Sequence, residues 1–224
     1  MSPAAWLIPL AFLSGSIPFG LLIGLAKGVD VRKAGSGNIG STNVGRLLGR
    51  KYFFLCLALD FLKGLLPTLL AGWKLGTLGH WVAEPMPMLV WIGVMLASVL
   101  GHVFCPWLSF KGGKGVATSL GALVAVFPVL TICAVAAFVV WAIVLKVGKY
   151  MSLASMAAGV ALPVACVVQL LITGHKLSEP SVWPTVGICA LLAALVVFTH
   201  RGNIKRLRAG TEPKFGQRVT PSVR

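Results

Sequence analysis

Stretches of about twenty apolar residues recur along this chain, at 6–26, 53–72, 87–105 and 182–199, and each approaches the length that crosses ~30 Å of hydrocarbon. A water-soluble core of this size has no use for so much apolar side chain: 57% of the 224 residues are hydrophobic, 11% are charged, and the mean hydropathy is +0.91. The bilayer is therefore the solvent. Hydrocarbon offers backbone amides no partners, so the spanning segments must be helices that satisfy their own, and the fold class is an all-α integral membrane protein. The N-terminal run lacks the basic start of a secretory leader and continues past leader length, so it reads as a retained first helix. Cys56, Cys105, Cys133, Cys166 and Cys189 sit in or at the ends of apolar runs without a CxxC pair, which suits small packing residues and gives no zinc site or other metal site.

Charge then orients the spans. Twenty Lys and Arg against five Asp and Glu give a net charge of +15, and seventeen of the twenty lie in four polar segments. Residues 27–51 hold six, Lys111 and Lys114 two, Lys146 and Lys149 two, and 201–224 the last seven. Basic loops stay on the cytoplasmic side, so these four face inward, the poor loops 73–86 and 174–181 face outward, the N-terminus is outside and the C-terminus is cytoplasmic. The stretch 116–145 joins two inward loops and must cross an even number of times. Phe127-Pro128 near its middle marks a turn between two short helices of about 12 to 15 residues each, giving about seven transmembrane helices. A single kinked span is the alternative, and it would leave the basic C-terminus outside. Residues 1–208 form one polytopic domain, and 209–224 read as a basic cytoplasmic tail that could be disordered. Asp60 and Lys63, three apart in the second span, share a helix face and can pair there, either as a structural ion pair or as part of a proton relay.

The polar segments carry the chemistry. The first contains Gly35-Ser36-Gly37-Asn38-Ile39-Gly40-Ser41-Thr42-Asn43-Val44-Gly45-Arg46. Glycines let successive amides point into one concavity, Ser, Thr and Asn add neutral donors, and Arg46 offers a two-pronged contact to a phosphoryl group. Gly35, Gly37 and Gly40 match GxGxxG, yet no strand precedes them, which argues against a dinucleotide fold. The second segment runs from Gly101-His102 to Phe110-Lys111-Gly112-Gly113-Lys114-Gly115-Val116-Ala117-Thr118. It fails as a Walker A loop, because Leu108 stands at the first glycine and no Ser or Thr directly follows Lys114. What remains is a glycine turn with two lysines opening a short helix, a setting that favours anions. Two shorter clusters follow: Lys149-Tyr150-Met151-Ser152-Leu153-Ala154-Ser155, where Ser152 and Ser155 serve as helix caps or site residues, and His200-Arg201-Gly202-Asn203. The charge rule brings all four clusters to one membrane face, which implies a single polyanion pocket.

Together with Ser16-Ile17-Pro18-Phe19-Gly20, these segments resemble the PlsY family, the bacterial acyl-phosphate:glycerol-3-phosphate acyltransferases, from about residue 12 to about residue 208. The resemblance implies a seven-helix enzyme of the bacterial cytoplasmic membrane with its active site toward the cytoplasm. It implies transfer of a fatty acyl group from acyl phosphate to the 1-hydroxyl of glycerol 3-phosphate, giving lysophosphatidic acid and phosphate without a cofactor. Membrane lipid surrounds such an enzyme, and a soluble enzyme that makes acyl phosphate is an implied partner. By position Ser36, Arg46, Lys114, Ser155, His200 and Asn203 match the glycerol 3-phosphate site. Gly35, Gly37, Asn38, Gly40, Thr42, Asn43, Gly112 and Gly113 match the loops expected to bind phosphate, and His200, Lys114 and Asn203 the catalytic centre. Thr199 and Gly202 depart from the basic and acidic residues common beside His200, and the sequence past Gly210 matches nothing in the pattern.

The His-x4-Asp dyad of thioester-using glycerolipid acyltransferases is missing, since Pro85, Trp107, Pro180 and Lys205 stand five residues after the four histidines. An acyl phosphate carries its own leaving group, so direct attack by the hydroxyl suffices, with the loops and the cations Arg46 and Lys114 holding the phosphates. Either His200 or the acceptor's own phosphate can take the proton. Two other classes fit less of the sequence. A transporter of a phosphate ester would place its site at the midplane between inverted repeats, and a lipid-binding scaffold would have no need of the Asn, Thr and Gly pattern. Nucleic acid is excluded as a partner because topology already accounts for the basic charge.

Overall fold

The computed structural model describes residues 4–81, 84–177, 179 and 182–217. Parts of both loops assigned to the outside and the last seven residues of the tail lie outside these. The apolar runs are helical, as hydrocarbon requires: α1 (Leu7–Gly15), α2 (Phe19–Leu25), α4 (Arg50–Leu75), α5 (Pro85–Val103), α6 (Val116–Ala125), α7 (Val129–Gly148), α8 (Met151–Ile172) and α9 (Trp183–Thr199). Two polar helices join them, α3 (Ser41–Leu48) and α10 (Arg201–Arg208), and a 3₁₀ turn, Pro106–Leu108, follows α5. Among the described residues, five segments are long and apolar enough to span: Leu7–Leu25, Arg50–Leu75, Pro85–Leu108, Val129–Gly148 and Met151–Ile172. A sixth is reached if α9 and α10, bent by 56° at His200, count as one span, and α6 is a shorter apolar helix. The protein is thus an all-helical, multi-pass membrane protein.

The 116–145 stretch does divide next to Phe127-Pro128, but only one half is short. Helix α7 has 20 residues because it continues through Lys146 to Gly148. A lysine in the last turn of a helix faces the negative end of the dipole and can extend its head toward water, so Lys146 does not end the span. Lipid contact is written on α8, where Val160, Val164, Val168 and Ile172 form an exposed apolar row at a spacing of four. Trp91, Met95, Leu130 and Leu192 fill the interior.

Two details of packing position the site. Helices α4 and α6 meet backbone to backbone: a Cβ on Gly64 would stand 2.1 Å from the Thr118 carbonyl, and one on Gly121 2.1 Å from that of Phe61. Small residues allow such close approach in lipid, and here they bring the start of α6 beside the middle of α4. The first span is interrupted at Ser16-Ile17-Pro18, where proline cannot continue the hydrogen-bond ladder. Cys105 Sγ lies 3.0 Å from the freed Ser16 carbonyl, and Lys63 Nζ donates to that of Ile17 at 2.8 Å. Lys63 also pairs with Asp60 at 2.7 Å, so the predicted i, i+3 ion pair forms, with both residues buried. All five cysteines are buried and free.

Candidate active site

The loop between α2 and α3 is organised around Asn43, which is 2% exposed. Its Oδ1 accepts the Ser36 N–H at 2.9 Å, and its Nδ2 donates to the carbonyls of Val31 at 2.9 Å and Ala34 at 3.2 Å. Gly35 has φ +62° and would bring a Cβ to 2.3 Å from Asn43 Oδ1, so both its conformation and its lack of a side chain are needed. Asn38 Oδ1 accepts the Gly40 N–H at 2.9 Å. These bonds leave the start of α3 open: its N-cap is Gly40, no side chain caps it, and Ser41 and Thr42 of its first turn line a cavity. The first residues of α6, Val116 and Ala117, and of α8, Met151 and Ser152, line the same cavity, again without a side-chain cap. Three helix N-termini, each with the positive end of a dipole and no side-chain cap, therefore converge.

Side-chain charge adds to them. Lys114 Nζ donates to Asn203 Oδ1, and the Lys114 carbonyl accepts from Thr199 Oγ1 at 3.3 Å. Arg46 Nη2 donates to the Pro213 carbonyl at 3.3 Å, while its Nε is buried without a partner among the described residues. At this charged end the carboxylate that faces these cations among the described residues is Glu212; Asp60, elsewhere on the cavity wall, is paired with Lys63. Glu212 Oε1 accepts from Ser152 Oγ and Asn203 Nδ2, and its Oε2 from Arg206 Nε, all at 2.7 Å. Arg46, Lys114 and Arg206 outnumber it, which leaves a site with an excess charge suited to a dianion.

The crowding shows in the acid–base behaviour. Burial pushes Lys114 down to about 8; Glu212 opposes this, while Arg206 and Arg46 add to it. Burial likewise lowers Arg46, with Glu212 opposing. Burial works to raise Glu212, but hydrogen bonds from Asn203, Ser152 and Arg206 hold it below the usual carboxylate range. His200, one residue past the α9 span, is lowered to about 4, by burial first and by Lys114 second. Its Nδ1 donates to the Val196 carbonyl at 2.7 Å, which leaves Nε2 as an acceptor.

The cavity, about 520 Å³, continues from this charged end into an apolar groove. Phe53, Phe54, Leu57 and Phe61 of α4 form one wall, Ala134, Ala137, Phe138 and Trp141 of α7 another, and Ala158, Gly159, Leu162, Leu192 and Val196 the remainder. One continuous space thus joins a cationic end to an apolar groove.

Of the residues singled out in the sequence, Ser36, Asn38, Gly40, Thr42, Asn43, Arg46, Lys114, Ser155, His200 and Asn203 surround this cavity. Gly35, Gly37, Gly112 and Gly113 do not line it. The Gly112 and Gly113 amides cannot cradle a phosphate, because they donate to the carbonyls of Val103 and His102, each at 3.0 Å. Asn43 spends both its donor and its acceptor inside the loop, so its part is to shape the loop. Ser152 and Ser155 are not caps: Ser152 bonds Glu212, and Ser155 Oγ donates to the Met151 carbonyl at 2.8 Å. The tail from 209 to 217 folds back over the site, with Phe215 N–H on the Lys149 carbonyl at 2.6 Å and its ring edge-on to Phe53. Glu212 escaped the sequence reading; its one signal is that it is the only acidic residue after Glu179. A His–carboxylate pair absent from any local motif also appears, with His102 Nδ1 3.6 Å from Asp60 Oδ1.

Fold and site define a multi-pass membrane protein with a cationic pocket that opens into an apolar groove. Residues 5–210 match the model of the glycerol-3-phosphate acyltransferase family. The glycerol-3-phosphate acyltransferase of Trichlorobacter lovleyi is 47% identical over 96% of this chain and 99% of its own length, and that of Aquifex aeolicus 41% over 95% and 99%. Among solved structures, crystal structures of PlsY, an integral membrane glycerol 3-phosphate acyltransferase, superpose with TM-scores of 0.78 for the glycerol 3-phosphate form and 0.75 for the lysophosphatidic acid form. Both are 40% identical; the first covers 95% of this chain and 96% of PlsY, the second 96% of each. The chain belongs to the glycerol-3-phosphate acyltransferase family, and within it to the PlsY type.

Proposed function

We propose that the protein transfers a fatty acyl group from acyl phosphate to the 1-hydroxyl of sn-glycerol 3-phosphate, at the cytoplasmic face of a bacterial inner membrane. The observation that carries this reading is the single cavity with a cationic end and an apolar groove. An acyl phosphate has that same division, with its reactive carbonyl at the boundary. A thioester donor would need room for a far larger polar head.

The acceptor's phosphate sits among Arg46, Lys114, Ser36, Ser155 and Asn203, where the excess positive charge offsets a dianion. The donor's phosphate meets the N-terminus of α3 and the Asn38–Thr42 loop, with Asn43 keeping that loop in shape. The hydroxyl oxygen attacks the carbonyl carbon, the bond between carbon and the bridging oxygen breaks, and inorganic phosphate leaves. His200 Nε2 accepts a hydrogen bond from the attacking hydroxyl and orients it. Held neutral by burial and by Lys114, His200 is a weak base, so the proton passes to a phosphate, whose second pKa near 6 makes it the better acceptor. Catalysis is then positioning and charge compensation, with Lys114 and the helix N-termini stabilising the phosphate as it leaves.

Four basic segments support the cytoplasmic orientation through the positive-inside rule. Purified protein in lipid, supplied with palmitoyl phosphate and labelled glycerol 3-phosphate beside a parallel reaction with palmitoyl-CoA, tests the reading. Lysophosphatidic acid from the first reaction alone is expected. Product from palmitoyl-CoA alone would overturn the donor assignment, and product from neither would overturn the whole.

A further inference from the structure

Three ionisable side chains lie at the base of the site, and nothing in the transfer reaction described above uses them. Asp60 and Lys63 of α4 and His102 of α5 are 3%, 4% and 5% exposed. Charged groups at such a position are costly, so their presence asks for a reason. Lys63 has one, because it satisfies the Ile17 carbonyl at the break of the first span. Asp60 has one, because it neutralises Lys63 at 2.7 Å. The pair is then complete in charge, and His102 is not needed to balance it.

His102 instead touches the turn that carries Lys114. The Gly113 N–H donates to the His102 carbonyl at 3.0 Å, and the Gly112 N–H to the next carbonyl, Val103, at 3.0 Å. A Cβ on Gly112 would stand 2.0 Å from the His102 carbonyl oxygen, and one on Gly113 2.0 Å from His102 Nε2. The turn therefore abuts the Nε2 edge of the imidazole and the His102 backbone, and Nδ1, on the far side of the ring, lies 3.6 Å from Asp60 Oδ1. Asp60 and His102 both reach the cavity wall.

We propose that Asp60, Lys63 and His102 form a buried support for the Gly112–Lys114 turn, and that His102 is a positioning residue that keeps Lys114 aimed into the phosphate site. Lys114 needs such a support because its surroundings repel it. Arg46 on α3 and Arg206 on α10 face it with like charge, His200 lies at the break above it, and among the described residues only Glu212 and the neutral Asn203 attract it. With the turn loosened, the ammonium moves toward water, where it is better solvated. Affinity for the acceptor phosphate then falls, while the chemistry of those molecules that do bind changes little. In the same change the titration of Lys114 returns toward that of an ordinary lysine, because burial is what lowers it.

This inference rests on the acyl-transfer reading, and wild type in the same assay separates the two. The variants are His102→Asn, Asp60→Asn/Lys63→Met, which removes both charges without leaving either unpaired, and Gly113→Ala, which presses on the ring from the other side. Steady-state kinetics over pH 6 to 10 on protein that elutes as a single folded species is the measurement. The expected result is a rise of about tenfold in KM for glycerol 3-phosphate, kcat within about threefold, and an alkaline limb of kcat/KM displaced upward. In the double variant His102→Ala/Gly113→Ala the new methyl enters the space the imidazole leaves, so its KM matches that of His102→Ala alone. Variants that yield less folded protein but keep wild-type KM and pH limb would reduce the cluster to a structural element and overturn the proposal, as would additive losses in the double variant. Wild type that forms no lysophosphatidic acid would instead sink the reading beneath it.

Discussion

Lys114 titrates near the working pH, and this makes its role measurable. With burial holding it at about 8, the ammonium is mostly charged at pH 7 and mostly neutral at pH 9. Only the charged form gives the phosphate a charge-assisted hydrogen bond, worth about 1.5–3 kcal/mol, or about tenfold to a hundredfold in binding. Glycerol 3-phosphate is already a dianion above about pH 7, its second pKa being near 6, so the substrate's charge does not confound this range. The sign is therefore fixed: kcat/KM for glycerol 3-phosphate is level near pH 7 and falls about tenfold by pH 9, a limb that belongs to the free enzyme. Lys114→Arg keeps a cation that stays protonated throughout this range, so it loses some affinity through its different shape but has no limb there. The assay is initial-rate lysophosphatidic acid formation in a buffer series at fixed ionic strength. A level wild-type profile to pH 9.5, or a limb that persists in Lys114→Arg, would refute the assignment of Lys114 as the phosphate's cation.

Three further outcomes follow from the geometry. His200→Gln keeps an acceptor near the position of Nε2, so KM for glycerol 3-phosphate should rise about tenfold with kcat nearly unchanged; a fall in kcat of about a hundredfold or more at unchanged KM would make His200 the general base instead. Glu212→Gln offers one acceptor where three donors converge, while the partly exposed Arg206 can turn to water, a loss of about 1–3 kcal/mol. A lowered Tm in detergent is expected, and an unchanged one contradicts the view that the tail is latched through this carboxylate. Ala137 is nearly buried on the groove wall, so Ala137→Phe should shorten the preferred donor chain; each methylene excluded costs about 0.8 kcal/mol. Unaltered preference in a series of acyl phosphates from ten to eighteen carbons would show that the chain runs elsewhere.

The helices were legible because hydrocarbon leaves the backbone so little choice, and run length with basic flanks is enough to find them. The turn near Pro128 was legible for the same reason, while the reach of α7 was not, since Lys146 looks like an end in sequence and is a last turn in space. Glycine-rich loops advertised an anion site, and Arg46, Lys114, His200 and Asn203 do meet around one cavity. Which atoms do the holding was hidden. Asn43 reads as a donor to phosphate but is consumed by its own loop, and the Gly112 and Gly113 amides are consumed by the end of α5. Hydrogen bonds within a loop depend on its closed shape, which composition does not encode. Glu212 and the contact of Asp60 with His102 join residues far apart in the chain, and nothing local marks either.

The central claim is that an acyl phosphate is attacked at its carbonyl carbon, and palmitoyl phosphate labelled with 18O at the bridging position tests it most directly. Mass spectrometry of the products should find the label in inorganic phosphate, released in equal amount to unlabelled lysophosphatidic acid. Label recovered in free palmitate, or lysophosphatidic acid formed without matching phosphate, would contradict the account.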